Sequence, residues 1–275
     1  YLSMSDVWEC DFSGFSQHGD YIVCVEDMGV SYPFKIHPNV YKELYYQVTR
    51  QLYHQRTGMA LEQPYTEWTR PRTLHHADGM VKLQYTASKW TDWQNPNREN
   101  GTRYEVYGKL LPDFQLKTWG WYMDAGDWDG YYSHLRVPRL LMTAFELAPE
   151  NFADGDLNIP ESGNGIPDIL DEARFLIDYL DRTRGPSGGI AGARIHPDFE
   201  QKPVDKIPSW EDERIWTISG EDAVTTYTFA GLSAQLAHTF KHLDKTDSVI
   251  KWMQKAQEAY TWAENNSDPD TESLR

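Results

Sequence analysis

Cysteine is scarce in this chain of 275 residues, with only Cys10 and Cys24 present. That excludes a disulfide-built scaffold and a four-thiolate zinc site. The two cysteines flank a turn-rich stretch around residues 14–19. They would face each other across a hairpin, as one disulfide or as two thiols buried on one strand face, and the spacing leaves both open. No apolar run approaches the roughly 20 residues that cross a bilayer, so no membrane partner is expected. Positive charge is short as well. Lys and Arg number 26 against 42 Asp and Glu, a net charge of −16, and such a field repels nucleic acid and anionic lipid. Also missing is the strand–helix alternation of a doubly wound sheet or a TIM barrel. The chain opens at Tyr1 without an initiator Met or a signal-type stretch, and reads as a mature or cut product.

Aromatic rings, by contrast, are plentiful. Eleven Trp and seventeen Tyr suit both a large core and stacking against sugar rings. Residues 1–37 alternate apolar and polar positions around Gly and Asp turns, which predicts two to four strands, too few to close a sandwich. From Pro38 the period becomes helical. Val40, Leu44, Val48 and Leu52 recur every four residues, and Gly58 follows the end. Residues 59–131 carry no sustained period and read as long loops with short strands. Four more helices are predicted. One carries Leu140, Leu141, Ala144, Leu147 and Ala148 after Pro138; the next carries Ile169, Leu170, Ala173, Leu176, Ile177 and Leu180 between Pro167 and Gly185. A third spans roughly 221–242 with small residues for close packing, and the last repeats Val249, Trp252, Met253, Ala256, Ala259, Tyr260 and Ala263.

The segment "WYMDAGDWDGYY", residues 121–132, holds the chemistry. Asp124 and Asp127 flank Ala125-Gly126, and Trp121, Tyr122, Trp128, Tyr131 and Tyr132 surround them. Cleaving a glycosidic bond takes one carboxylic acid to protonate the leaving oxygen and one carboxylate to act on water or carbon. Two aspartates this close cannot be the acid and base of an inverting pair, which stand about 6.5–9.5 Å apart. They can instead hold and activate one water together. An exposed acidic turn is the plainer reading of the same residues.

This segment resembles the Asp-Ala-Gly-Asp signature of glycoside hydrolase family 9. The stretch "NIPESGNGIPDILDEARFLIDYL" (158–180) resembles the loop and helix that follow it. "VSYPFKIHPNVYKELYYQVTRQLYHQRTG" (30–58) resembles the junction between an upstream immunoglobulin-like domain and the first barrel helix in one subgroup. The resemblance implies a mainly α fold. Residues 38–275 would form the N-terminal half of an (α/α)6 catalytic barrel, and residues 1–37 the remnant of an immunoglobulin-like β-sandwich. It implies inverting hydrolysis of β-1,4-glucan, with Asp127 as general base and Asp124 helping to bind the water. The general acid, a Glu, is expected beyond Arg275, so the remainder of the catalytic domain would be a partner. Secretion or a place in the cell envelope is expected. Two alternatives stand beside this reading: an exo-acting glycosidase of the same fold, for example on glucosamine, and a non-catalytic glycan-binding protein.

Candidate substrate contacts are Trp121, Trp128, Tyr131 and Tyr132, then Arg194, His196 and Trp210 in the irregular region that follows. No cofactor is required for the chemistry. The subgroup's structural zinc is not expected, because Thr57 and Leu74 stand where its cysteines would be, leaving His75 and His76. The loop "DGDLNIPESGN" offers Asp154, Asp156, Asn158 and Glu161 as a candidate calcium site. It departs from an EF-hand at Ile159 and Gly165, and a solvated acidic loop leading into the next helix is the alternative.

Overall fold

The computed structural model describes residues 9–78, 83–89, 109–111, 113–114, 117–123, 128–195, 208, 210–211 and 215–267; of residues 128–133 and 195 only the backbone is described. The chain divides into two compact units, Tyr1–Val48 and Thr49–Arg275.

The first unit holds two short antiparallel ladders. Strand β1 (Gly19–Tyr21) pairs with β4 (Phe34–Ile36), and β2 (Cys24–Val25) with β3 (Gly29–Val30). The β2–β3 turn places Asp27 and Gly29 at positive φ, the geometry a tight hairpin demands. Phe12, Phe15, Tyr21 and Phe34 pack ring on ring, yet none of the described residues in this unit is buried. Cys10 and Cys24 are free and exposed. Both readings offered for them, a disulfide and a buried pair, are therefore corrected.

Helix α1 (Lys42–Gln55) crosses the division between the units. Its buried residues are Thr49, Arg50 and Tyr53, whereas Val40, Leu44 and Val48 are exposed. The four-residue apolar repeat thus locates the helix but not its buried face.

In the second unit five strands form one sheet in the order β5-β9-β8-β6, with β7 also on β9. They are β5 (Leu83–Lys89), β6 (Trp128–Tyr131), β7 (Ile190–Ala191), β8 (Ala193–Ile195) and β9 (Trp216–Asp222). β5 runs parallel to β9; the other ladders are antiparallel. The helices are α2 (Arg136–Leu147), α3 (Asp168–Arg182), α4 (Ala223–His242) and α5 (Thr246–Asn266); α3 and α4 pack against β7, α2 against α3 and α4, and α5 against α4.

Local signals set where these helices start. Pro167 precedes α3, while the Asp222 carboxylate caps α4 by accepting the Thr225 N–H at 2.7 Å and its hydroxyl at 3.0 Å, a cap of about 1 kcal/mol. On α2 the buried residues are Pro138, Met142 and Phe145, with Leu140 and Leu147 exposed, another apolar face read one register off. On α5 Trp252, Ala256, Ala259 and Ala263 of the predicted repeat are buried, whereas Met253 and Tyr260 are exposed. α3 is buried almost throughout, including its acidic residues Asp168, Asp171 and Glu172.

Candidate functional site

Asp124 and Asp127 lie outside the described residues; the chain leading to them, residues 119–123, is fixed in detail. Its first anchor is the end of α1. Met123 N–H donates to the Gln55 carbonyl and Thr57 N–H to the Trp121 carbonyl, both at 2.8 Å, and Arg56 bridges to Tyr122 in antiparallel fashion. The Thr57 hydroxyl donates to the Gly120 carbonyl at 2.6 Å and accepts from Arg194 Nη2 at 2.6 Å. Gly58 must be glycine here, because its φ is +77° and a Cβ would sit 2.5 Å from the Gly120 nitrogen. From the other side Arg182 donates Nε to the Trp119 carbonyl at 3.0 Å and stacks its guanidinium 4.0 Å over that indole.

Within this clamp Trp121 adopts a φ of +84°, a conformation a bulky residue rarely takes. It is 1% exposed, packs edge-on against Tyr179, and its Nε1 has no hydrogen-bond partner among the described residues. Strain of this kind persists only where the surroundings over-determine it.

The second anchor is a buried charge cluster. Arg56 is wholly buried and binds Glu172 two-pronged, Nε to Oε1 at 3.2 Å and Nη2 to Oε2 at 3.0 Å. Its Nη1 reaches both oxygens of Glu161 at 3.0 Å. The guanidinium also lies 4.3 Å over the Phe175 ring. Burial disfavours its charge, but Glu172 and Glu161 outweigh that and hold its pKa above the ordinary arginine value. The Tyr122 hydroxyl donates to Glu172 Oε1 at 2.6 Å; burial first, and Glu172 next, push its pKa well up. Tyr122 therefore stays a neutral donor, pinned two residues before Asp124.

The sheet supplies the far side of the signature. Trp128, Gly130 and Tyr131 on β6 face Ile195, Arg194 and Ala193 on β8, with an irregularity between Trp128 and Gly130. The ladder thus joins the backbone at the end of the signature to the later region that holds Arg194. For Trp128, Tyr131 and Tyr132 only the backbone is described, and His196 lies outside the described residues. Two candidates are corrected. Trp121 and Arg194 are interior residues, with Arg194 fully buried, bonded to Thr57 and set 5.3 Å over the Tyr179 ring. They brace the signature from within rather than offering a face to a sugar. Trp210, 38% exposed in the turn where Glu211 N–H donates to the Pro208 carbonyl, remains open to solvent.

In the candidate calcium loop two of the four residues, Asp154 and Asp156, accept from the loop's own backbone. Asp154 accepts from the N–H groups of Gly163 and Gly165 at 2.5 and 2.7 Å, and Asp156 from Ala153 at 2.7 Å. Asn158, at positive φ, donates toward the Pro64 carbonyl, and Glu161 binds Arg56. The four do not converge. Among the described residues no three His, Cys, Asp or Glu group as a metal site. His75 and His76 stack on each other at 4.2 Å, and His75 stacks on Trp119. Burial, then Arg72, lowers the His75 pKa.

Sequence reasoning missed Arg56, Glu172, Tyr122 and Thr57. The partners of Arg56 lie 105 and 116 positions further along the chain, and no local signal marks such a pairing.

No protein-family model matches the chain. Among curated proteins it is 29% identical to a cellulose 1,4-β-cellobiosidase of Acetivibrio thermocellus, over 94% of this chain and 30% of that one. It is likewise 29% identical to a xyloglucan-specific endo-β-1,4-glucanase of Bacteroides ovatus, over 94% of this chain and 40% of that one. Among solved structures, a metagenome-derived glycoside hydrolase family 9 endoglucanase matches 94% of this chain and 42% of its own at a TM-score of 0.67 and 27% identity. A Bacteroides ovatus family 9 structure matches 93% and 43% at 0.64 and 27%. The chain thus spans less than half the length of these relatives. Its helices are part of an (α/α)6 barrel, and in sequence and in fold together the chain is a relative of the glycoside hydrolase family 9 enzymes.

Proposed function

We propose that this chain carries the water-activating part of an inverting β-1,4-glucanase site. The observation that carries this reading is the likeness to family 9 glucanases in sequence and fold, and the clamp on residues 119–123, the approach to the Asp-Ala-Gly-Asp signature, supports it. In the proposed reaction Asp127 takes a proton from water as that water attacks the anomeric carbon, and Asp124 holds the water in line. The glycosidic C–O bond breaks as a general acid protonates the leaving oxygen, and the new C–O bond forms on the opposite face, inverting the configuration. No residue of this chain is assigned as that acid.

The substrate class rests on the relatives, whose names join cellulose and xyloglucan through a shared β-1,4-glucan backbone. Trp128, Tyr131, Tyr132 and Trp210 are the proposed sugar-facing residues. A polymer of this size stays outside cells, so secretion or envelope display follows from the substrate. Residues 1–37 are proposed as the edge of an immunoglobulin-like domain, on the strength of their antiparallel hairpins.

Reducing-sugar release from soluble β-1,4-glucan tests the reading, run on this chain and on the complete protein that contains it, each with Asp127→Asn. Release by the complete protein that Asp127→Asn abolishes supports it. Binding of the glucan without release in both would favour a glycan-binding protein instead.

A further inference from the structure

A pair of histidines far along the chain has no part in the glucan chemistry. His238 and His242 stand one turn apart on α4, both exposed, with their Nε2 atoms 3.3 Å apart and their rings nearly perpendicular at 87°. Residues four apart share one helix face. Buried Leu236, Ala237, Thr239 and Phe240 pack the opposite face, so both imidazoles are held toward solvent.

The separation is informative. At 3.3 Å the two nitrogens are within reach of one hydrogen bond, which is the competing arrangement. A metal bound by two imidazoles at about 2.0–2.1 Å each spans about 3.4 Å between nitrogens at a tetrahedral angle, and about 2.9 Å at a right angle. The observed 3.3 Å falls inside that bite. The chain's charge of −16 draws cations toward it.

We propose that His238 and His242 form a bidentate surface site for a late divalent transition metal, Zn²⁺ or Cu²⁺, with water completing the coordination. Imidazole nitrogen selects these ions over Ca²⁺ and Mg²⁺, which take oxygen. Each Nε2 gives its lone pair to the metal, so both rings carry their proton on Nδ1. The chelate ties the last turn of α4, just before the Leu243–Lys245 link to α5. Only the helical state brings the two nitrogens together, so binding favours the folded chain.

Calorimetric titration of the chain with ZnCl₂, alongside thermal unfolding with and without zinc, tests this. The variants are His238→Ala, His242→Ala and, as a control for adjacent histidines elsewhere, His75→Ala with His76→Ala. The expected result is one zinc per chain and a zinc-dependent rise in Tm in the parent and the control. Binding should weaken at least ten-fold in either α4 variant. Absence of zinc binding, or equal binding in all variants, overturns the proposal. So does an α4 variant whose loss of Tm is the same with and without zinc, which would mark a hydrogen-bonded pair only.

Discussion

Two irregular stretches meet the buried helix α3, the loop 153–168 and the segment 119–123, and they are held in opposite ways. The loop is folded largely by its own acids, with Arg50 and Arg56 reaching in at Leu157, Asn158 and Glu161. Asp154 and Asp156 accept loop N–H groups, and Asp168 accepts Gly155 N–H, Leu157 N–H and the Ser162 hydroxyl at 2.7–2.9 Å. The segment is shaped from outside, by Gln55, Thr57, Arg182 and the Arg56–Glu172–Tyr122 cluster. Acidic residues that resemble cation ligands can therefore serve the backbone around them. A segment with no regular local structure can still be held from several sides at once. The loop should tolerate changes one residue at a time, whereas the segment should fail at its distant anchors.

The largest expected effect is at Arg56. Arg56→Ala leaves Glu172 buried beside Tyr122 with no cation, a loss of about 3–5 kcal/mol. Arg56→Lys keeps the charge but not the two-pronged geometry, so it should fall between. Urea unfolding of both variants measures this, and an Arg56→Ala protein as stable as the parent would remove the cluster as an anchor.

Asp171 comes next, and it joins loop to helix through the Asn164 amide at 3.0 Å. Burial raises its pKa from 3.8 to about 7, with Arg174 opposing. The folded chain thus keeps a proton that the unfolded chain releases. The stability Asp171 contributes is fully present below its unfolded pKa and is lost as pH rises through about 7. Asp171→Asn removes that dependence, at roughly 1.4 kcal/mol per pH unit within the window. Tm measured from pH 4 to pH 8 should fall less steeply in the variant than in the parent.

A smaller effect is expected at Tyr122. Tyr122→Phe keeps the ring and deletes one bond to a carboxylate that Arg56 still satisfies, a cost of about 1–2 kcal/mol. If this residue aims the signature, the complete enzyme should lose kcat with KM nearly unchanged. Equal kcat in the two proteins would make Tyr122 a packing residue alone.

The helices are legible in the sequence because apolar periodicity and punctuation by Pro and Gly agree. Pro167 and Gly185 bracket α3 closely. Faces are less legible. An apolar repeat misplaces the buried side where polar or charged groups take the core, as Thr49 and Arg50 do on α1; Leu44 and Leu140, both apolar, are exposed. The sheet escapes because β9 alternates only over the short run Trp216–Ser219, whose polar residues are as buried as its apolar ones, while its parallel partner β5 lies far earlier in the chain. At the site, Asp124 and Asp127 draw notice by their spacing among aromatic residues and by the family resemblance their segment carries. Arg56 does not, because a basic residue closing a helix looks like any other C-terminal charge.

The smallest effect separates the two stretches most cleanly. The Asp154 carboxylate is exposed, and the Gly163 N–H bond holds its pKa below the ordinary value despite slight burial. A lowered carboxylate stabilises above its unfolded pKa and ceases to as pH falls through the folded one. Asp154→Ala should leave the global Tm nearly unchanged at neutral pH, since solvent screens the site. It should speed amide exchange at Gly163 and Gly165. Below the ordinary carboxylate range the parent is protonated too, and the two proteins should exchange alike. A global loss of stability in Asp154→Ala would instead mean that Asp154 supports more than the turn it closes.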